Sequence, residues 1–347
     1  MKYFGFLSFG HYSLGGQQGP SASDMMRIHL DLAQAADEIG VNVASFRVHH
    51  FVPQAAAPMP LLGAIAGATK RIEVGTGVID MRYENPLYLA EEAAALDQLS
   101  GGRVALGLSR GAPEVATRGW EAFGYRSQKP DGSDLARAHF EKFLAAIDGE
   151  PMAEAAPLEQ QYPRIFQPGT PLPVFPHSQG LRRRIYWGSG THRTAEQAAR
   201  DGVNLMSSTL VSETNHDTLG AIQAEQIQRY RAAWREAGHS WTPRVSISRS
   251  IFPLVSATDH ELFGRQATSV DQVGYLPEAG KATFGRSYAA EPDVLIEQLQ
   301  QDPAIKEADT LLLTLPTGMG ADVNIGILQN FAEHVAPALG WQPNTAS

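Results

Sequence analysis

The sequence predicts an α/β protein, a (β/α)8 TIM barrel with insertions that forms a single domain over residues 1–347. Short apolar runs of strand length alternate along the chain with longer amphipathic segments of helix length. This alternation favours a parallel sheet, because parallel neighbours need a crossover helix between them. Eight strand–helix units in one chain favour closure of that sheet into a barrel.

The first half of the chain supplies four of the units. SASD at 21–24 is a capping box for an amphipathic helix that ends at Gly40. Asn85 followed by Pro86 is typical of the start of another helix. The predicted strands are 3–9, 41–48, 71–79 and 101–109, and the predicted helices are 25–40, 60–70, 87–100 and 133–148.

The second half supplies the other four units in the same alternation. The predicted strands are 182–188, 203–208, 244–255 and 309–316, and the predicted helices are 194–202, 218–238, 291–301 and 322–339. Irregular insertions are expected at about 111–132, 150–181 and 256–290. The first and third follow strands four and seven, so we expect them to lie over the functional face of the barrel.

The composition disfavours several classes of protein. A net charge of −9 disfavours a nucleic-acid partner, because no large basic surface offsets the repulsion of phosphates. The basic run Arg182 to Arg184 is interpreted as a solvated entry to a strand. The absence of cysteine removes disulfides, thiolate metal sites and a cysteine nucleophile. Neither a membrane span nor a signal peptide is recognisable, so a cytoplasmic protein is predicted.

His49 and His50 stand side by side at the predicted end of strand two, where barrels of this kind build their active sites. Adjacent strand residues point to opposite faces, and no Asp or Glu lies near them in sequence, so we predict no metal site. We expect one imidazole to point into the barrel mouth and the other to pack or form a hydrogen bond. An unperturbed pKa of roughly 6.5 suits a proton shuttle.

Two features at the ends of strands four and five predict a phosphate-bearing cofactor. Arg110 is a permanently charged fork donor that suits a phosphate. GSGTHRT at 188–194 is a Gly-rich turn whose free N–H groups and helix N-terminus favour an anion, and Thr191 and Thr194 add hydroxyl groups. The alternatives are a surface salt bridge for Arg110 and an ordinary helix cap for Thr194.

Several of these segments together resemble the bacterial luciferase-like flavin monooxygenases. They are VHHF after strand two, RIEVGTGV in strand three, NPLYLAEEAAALDQLSGGRVALGLSRG at 85–111 and GSGTHRTAEQAARDGVNLM at 188–206. The block at 85–111 is the most specific of them. The resemblance covers most of the chain and is weakest at 112–180 and 256–290.

The resemblance implies a luciferase-like barrel that binds FMN and is often a homodimer. It also implies reduced FMN from a separate flavin reductase, O2 as co-substrate and a small-molecule substrate. By position, His49 matches the family's catalytic histidine, and Thr76–Gly77 match a non-proline cis peptide under the flavin ring. The residues matched to cofactor binding are Thr76, Gly77, Arg110, Ala112, Gly188, Ser189, Gly190, Thr191 and Thr194.

Two residues depart from the family pattern. Val48 stands where relatives usually carry a glutamate, which removes a carboxylate near the flavin. Gly190 replaces a glutamate of the luciferase subunit itself, so light emission is not implied. The first departure leaves the cofactor better supported than the reaction.

Two alternatives lie within flavin enzymes and their relatives. A deazaflavin-dependent oxidoreductase of the same barrel family would bind a longer acidic cofactor and would need a larger basic rim. Arg82, Arg118 and Arg126 could supply that rim. A non-catalytic relative would bind FMN without oxygen-dependent turnover.

A third alternative is a serine hydrolase. GLSRG at 107–111 fits the G-x-S-x-G nucleophile elbow, with Ser109 as the nucleophile and His177 or His334 as the base. No HGGG-type oxyanion segment precedes it, and Pro113 fits poorly with the helix that must begin at once.

The substrate is expected to be apolar or aromatic, because the first and third insertions are rich in aromatic side chains. Packing inside the insertions is the alternative role for these rings. They are Trp120, Phe123, Tyr125, Tyr275, Phe284 and Tyr288.

Overall fold

The computed structural model describes residues 1–15, 17–111, 114–213, 218–276 and 280–345. Within these ranges the strands β1 to β14 are, in chain order, Tyr3–Ser8, Val43–Phe46, Glu73–Asp80, Val104–Ser109, Ala153–Glu154, Pro171–Leu172, Ile185–Ser189, Asn204–Ser207, Leu210–Val211, Val245–Pro253, Gln272–Leu276, Gly280–Phe284, Ser287–Ala290 and Thr310–Thr314. The helices α1 to α10 are Ala22–Ile39, Pro58–Ala68, Pro86–Leu99, Ser133–Ile147, His192–Arg200, Leu219–Ala237, Ala257–Phe263, Pro292–Gln301, Pro303–Glu307 and Ala321–His334.

Eight of the strands in the described ranges form a closed parallel barrel, in the order β1, β2, β3, β4, β7, β8, β10 and β14. Pairing of β8 with β10 sets Leu205 beside Val245 and completes one side of the ring. Pairing of β14 with β1 sets Leu311 beside Phe4 and completes the other. The predicted (β/α)8 barrel is therefore confirmed.

The local signals at two helix starts act as predicted. Ser21 and Asp24 form a reciprocal capping box at α1, and Gly40 ends that helix in the left-handed conformation with φ of 91°. Asn85 Oδ1 accepts the N–H groups of Leu87 and Tyr88 at 3.0 and 3.1 Å, which fixes the start of α3. No helix in the described ranges is long and apolar enough to cross a membrane.

Two layers of apolar side chains hold the barrel. The larger layer lies between the strands and the surrounding helices. At β3 and β4 the backbones approach so closely that a Cβ on Gly107 would lie 2.3 Å from Thr76 O, so only glycine fits there. The smaller layer fills the barrel itself and consists of Leu7, Val43, Ala105, Tyr186, Met206 and Leu312.

The insertions carry short elements of their own. The first contains a 3-10 turn at Gly119–Glu121. The second contains the antiparallel pair β5 and β6, in agreement with an ordered connector. In the third, β12 pairs with the short strand β9 and β13 extends the barrel sheet beside β10, so this insertion packs against one barrel strand and against the segment that follows β8.

Several predicted strand boundaries differ from the structure, and two of these differences bear on the interpretation of charged or titratable residues. β2 ends at Phe46, so the histidine pair lies in a loop and not in an extended strand. β7 begins at Ile185, because Gly180 with φ of 77° starts a 3-10 turn over Leu181–Arg184. Arg182 and Arg184 in that turn pair with Asp148 and Asp97, so these side chains are anchored and are not simply solvated.

Candidate active site

The loop after β2 folds back over the carboxyl end of the barrel. Arg47 N donates to Ser8 O at 2.8 Å, and His49 N donates to Ala55 O at 2.9 Å. These bonds satisfy the backbone of a chain that has left the sheet. They hold the side chains of Arg47, His49 and His50 at the barrel mouth.

His49 lies between a guanidinium and a carboxyl group. Arg47 Nη2 is 2.7 Å from His49 Nε2, and Glu114 Oε1 is 3.7 Å from His49 Nδ1. Burial, and next the charge of Arg47, lowers the pKa of His49 to about 4. The imidazole is therefore neutral near pH 7.

His50 has different surroundings. Its ring stacks on Tyr83 with centroids 4.2 Å apart, and the edge of Phe123 lies 5.2 Å away. Burial, and next Arg82, lowers the pKa of His50 to about 4. Strand alternation does not explain this separation, because both histidines lie beyond β2. No group of three or more potential metal ligands occurs in the described part of the chain.

A buried ion pair follows β3. Arg82 Nη2 lies 2.6 Å from Asp80 Oδ2, and Arg82 Nε lies 3.0 Å from Asp80 Oδ1. The guanidinium also stacks over Trp120 at 4.8 Å. Gly111, with φ of 85°, leaves room for the pair, since a Cβ there would lie 1.9 Å from Asp80 Oδ2. Arg82 therefore does not contribute to an exposed basic rim.

Glu114 provides the carboxyl group that pairs with His49 among the described residues. Its side chain is only 3% exposed. Burial, and next the charge of Asp80, raises the pKa of Glu114 to about 7, although Arg82 and Arg47 act in the opposite direction. The group thus titrates near neutrality, whereas both histidines do not.

Several buried polar atoms around this cluster have no hydrogen-bond partner among the described residues. An unsatisfied buried group costs about 1–3 kcal/mol, so their concentration in one place is characteristic of a binding site. These atoms are His11 Nδ1, His50 Nε2, Gln54 Oε1, Tyr83 Oη, Glu114 Oε2 and Trp120 Nε1.

The end of β3 differs from the expectation in one detail. The cis peptide joins Gly77 to Val78, one residue later than Thr76–Gly77. Thr76 is fully buried and its hydroxyl donates to Gly107 O at 2.8 Å. Gly77 faces the barrel interior, where a Cβ would lie 2.8 Å from Leu7 Cδ1. The Thr76 side chain is therefore turned towards β4 and away from the surface.

The ends of β4 and β7 lie side by side. The pairing of Leu108 with Trp187 continues towards Arg110 and Ser189, and a Cβ on Gly188 would lie 3.2 Å from that of Ser109. Arg110 Nη1 contacts Asp131 Oδ2 at 2.6 Å and its side chain remains 40% exposed. The salt bridge considered for Arg110 thus exists and leaves part of the guanidinium accessible. Ala112 lies outside the described residues.

The start of α5 offers hydroxyl groups beside its free N–H groups. Thr191 is the N-cap, and its side chain accepts Thr194 N, so Thr191 and not Thr194 is the capping residue. The two hydroxyl oxygens lie 2.9 Å apart. One amide is already engaged, because His192 N donates to Glu213 Oε1 at 3.1 Å. Gly190 has open space on its Cβ side, with its nearest neighbour 3.8 Å away.

Ser189 and Ser109 belong to the backbone framework of this region. Ser189 is fully buried, and its hydroxyl has no partner among the described residues. Ser109 Oγ accepts Gly111 N at 2.7 Å. No hydrogen bond between Ser109 and a histidine occurs in the described ranges, and His334 instead contacts Glu333. The geometry gives a serine nucleophile at Ser109 no base.

The aromatic side chains of the insertions divide into two groups. Phe123 is half-exposed and touches His50, while Trp120 packs near Tyr83. Other rings pack elsewhere: Tyr125 meets His139, and the Tyr288 hydroxyl donates to Asp302. Only some of the predicted rings therefore stand beside the histidine cluster.

Reasoning from sequence missed Arg47, Glu114 and Asp80 as members of the site. Asp80 and Arg82 are two residues apart at the end of a strand, where such residues share a face, so this pair could have been found. Glu114 lies in an irregular insertion, and no local pattern connects it with His49.

A closed parallel barrel with imidazole, carboxyl and anion-binding groups at the carboxyl ends of its strands has the arrangement of a TIM-barrel enzyme. The sequence profile of the luciferase-like monooxygenases matches residues 1–291. The chain belongs to that family, and the predicted resemblance is confirmed.

Individual relatives differ in cofactor. The chain is 36% identical over 85 residues to the oxygenase component of a flavin-dependent trigonelline monooxygenase from Acinetobacter baylyi, covering 24% of each chain. It is 34% identical over 117 residues to a putative coenzyme F420-dependent oxidoreductase from Mycobacterium tuberculosis, covering 34% of this chain and 32% of that protein. The chain thus spans less than two thirds of each of these relatives.

Solved structures support the fold over the whole chain. The oxygenating constituent of 3,6-diketocamphane monooxygenase from Pseudomonas putida, in complex with FMN, superposes with a TM-score of 0.68 at 17% identity. The match covers 97% of this chain and 98% of that one. At this identity the likeness concerns the fold alone.

Proposed function

We propose that this protein is an FMN-dependent monooxygenase that uses reduced FMN and O2 on an apolar or aromatic small molecule. A separate flavin reductase supplies the reduced cofactor. When bound, reduced FMN contributes the two electrons that activate O2. The observation that carries the proposal is the cluster of unsatisfied polar atoms around His49. This cluster lies at the carboxyl end of the barrel strands, where TIM-barrel enzymes build their active sites.

The residues at β4 and β7 fit the phosphate end of FMN. The donors available to a phosphate are the hydroxyls of Thr191 and Thr194 and the accessible part of Arg110. The N–H of Arg193 at the start of α5 adds to them, because unlike those of His192 and Thr194 it has no partner among the described residues. Asp131 and Glu213 oppose it electrostatically, so we expect binding to draw Arg110 partly away from Asp131. The remaining residues assigned to this end are Ala112, Gly188, Ser189 and Gly190.

The residues at β2 to β4 fit the reacting end of the cofactor. His49 holds a proton on one ring nitrogen and a lone pair on the other, so it can serve as donor or acceptor toward a ligand. Gly77 and the backbone near Thr76 form the adjoining surface of the barrel interior. Phe123 and Trp120 exclude water and would contact an apolar substrate.

The choice of FMN over a deazaflavin is supported by the contacts of the three arginines that could form a basic rim. Arg82 is buried against Asp80. Arg118 donates to Glu121 at 2.7 Å and to Ser127 O at 3.0 Å. Arg126 remains as an exposed cation, which is little for a longer acidic cofactor tail. The F420-dependent relative keeps the deazaflavin enzyme as the second candidate.

We further propose that the protein works as a homodimer, on the strength of the family. Light scattering of the purified protein would test this, with a mass near twice the chain mass of 37.5 kDa as the expected result. A monomer at working concentration would contradict it.

Cofactor titration tests the main proposal. The purified chain is titrated with oxidised FMN, reduced FMN and a deazaflavin, and each Kd is measured by fluorescence. We expect reduced FMN to bind most tightly. Thr191→Ala should weaken it by roughly 10-fold, the loss of one good phosphate contact at about 1.4 kcal/mol.

The matched control is Thr218→Ala, which removes the N-cap of α6. Both substitutions should cost about 1 kcal/mol of stability, but only the first should affect FMN binding. Tight binding of the deazaflavin alone would refute the choice of cofactor. FMN binding without formation of oxygenated product across a panel of apolar substrates, in the presence of a reductase, would identify a non-catalytic flavin-binding protein.

A further inference from the structure

The hydrogen bond between Arg47 and His49 fixes the state of the imidazole. A guanidinium has only N–H groups to offer and cannot accept a hydrogen bond. His49 Nε2, at 2.7 Å from Arg47 Nη2, must therefore present its lone pair. A neutral ring then carries its proton on Nδ1, which is the nitrogen that faces Glu114 Oε1 at 3.7 Å. This is an electrostatic contact and is too long for a hydrogen bond.

The Glu114 carboxyl group makes no hydrogen bond through Oε2 to any described residue. Its side chain is almost fully buried, and Oε2 is among the unsatisfied atoms of the site. The carboxyl group comes from the loop after β4, whereas His49 comes from the loop after β2. Val48, directly before the histidine pair, is buried in the apolar core. Glu114 thus places a carboxyl group beside His49 from the loop that follows a different strand, β4.

We propose that Glu114 is a positioning residue that exchanges a proton with His49 Nδ1, so that His49 connects a ligand to a buried carboxyl group. This rests on the proposed function for its catalytic meaning. In the transfer, a ligand group takes the place of Arg47 at Nε2 and gives it a proton. The Nδ1–H bond breaks and that proton passes to the Glu114 carboxylate. One proton moves from ligand to Glu114, and the imidazole ends neutral.

The surrounding groups favour a neutral His49 imidazole and a Glu114 carboxyl group that titrates near neutral pH. Arg47 and His50 face the pair from the β2 loop, His11 from the β1 loop, and Asp80, Arg82 and Tyr83 from the end of β3. Burial and Arg47 keep the imidazole neutral above pH of about 4, while burial and Asp80 bring the carboxyl group to a pKa of about 7. The carboxyl group and not the imidazole is therefore the titrating group near neutral pH.

NMR of the full-length protein without cofactor tests the geometry independently of turnover. In protein labelled with 15N in histidine, long-range 1H–15N spectra report the tautomer and charge of each ring. We expect His49 to be the neutral Nδ1–H tautomer, to protonate with a midpoint near pH 4, and to show a second shift change near pH 7 as Glu114 ionises.

Glu114→Gln should abolish the change near pH 7, while Glu114→Asp should retain it. The matched control is Glu84→Gln, because burial also raises the pKa of Glu84 to about 7, but the ion pair of His49 among the described residues is with Glu114 and not with Glu84. The control should leave the His49 titration unaltered. Persistence of the change in Glu114→Gln, or an Nε2–H tautomer in the wild type, would overturn the proposal.

Kinetics with a flavin reductase provide the second readout. Glu114→Gln should lower kcat by about 100-fold, the scale of a general acid–base contribution, and remove the inflection near pH 7. KM for reduced FMN should change less than threefold. A lower kcat and a higher KM, together with an unchanged pH profile, would indicate a merely structural role. If the NMR result holds and no variant or wild type turns over, the proposed function fails and the proton exchange stands.

Discussion

Two Arg–Asp pairs in the site have the same 2.6 Å contact and differ in burial, which allows a direct test of the electrostatic reasoning. Asp80 and Arg82 are 2% and 3% exposed, whereas Asp131 and Arg110 are 34% and 40% exposed. We expect Asp80→Asn to destabilise the protein by about 3–5 kcal/mol, because it removes the carboxylate that pairs with the buried Arg82 guanidinium. Asp131→Asn should cost less than about 1 kcal/mol, since solvent screens that pair.

The assay is urea unfolding followed by circular dichroism, with the midpoints compared at a common m-value. Asp131→Asn keeps the Oδ1 acceptor for Ser133 N, so it removes charge and little else. The double variant Asp80→Asn, Arg82→Met should recover most of the loss, because the buried charge is gone and an apolar stem still covers Trp120. Equal losses from the two single variants would refute the argument.

Two further predictions concern packing and pH. Gly107→Ala should destabilise the protein by about 1–3 kcal/mol, because its Cβ would meet Thr76 O. Gly63→Ala on α2 has open space around it and should stabilise the protein by roughly 1 kcal/mol. Thermal unfolding measures both effects. Burial lowers the folded pKa of His29 to about 4 from 6.5, so the unfolded chain takes up the proton first and stability falls as pH drops through this window. Relative to His29→Gln, wild type should lose about 1.4 kcal/mol per pH unit there, and a parallel pH dependence of both proteins would contradict this.

The barrel could be predicted because its evidence is local and repeated. Each strand–helix unit carries its own apolar pattern, and helix signals such as the Ser21 capping box or Asn85 followed by Pro86 are contained within a few residues. Closure then follows from the number of units. An error of two residues at the end of β2 changes none of this, because the neighbouring strands fix the register.

The environment of the site residues could not be predicted in the same way. The position of the cis peptide was wrong by one residue, because a sequence does not fix strand register to that precision. The sequence also allows Thr194 as the helix cap, but the N-cap of α5 is Thr191, three residues earlier. Both errors amount to only one to three residues in sequence. They matter because they determine which atoms face the site.

The pairing of His49 with Glu114 shows where local reasoning stops. No acidic residue lies next to the histidines in the sequence, yet the fold brings Glu114 to within 3.7 Å of His49 from the loop after β4. Burial then reverses the usual order of the two groups, because it penalises the charged form of each and so lowers the histidine pKa while raising that of the glutamate. The residue type alone points to His49 as the group that titrates near pH 7. The packed structure gives that property to Glu114, and a pH profile assigned to the histidine by analogy would therefore name the wrong residue.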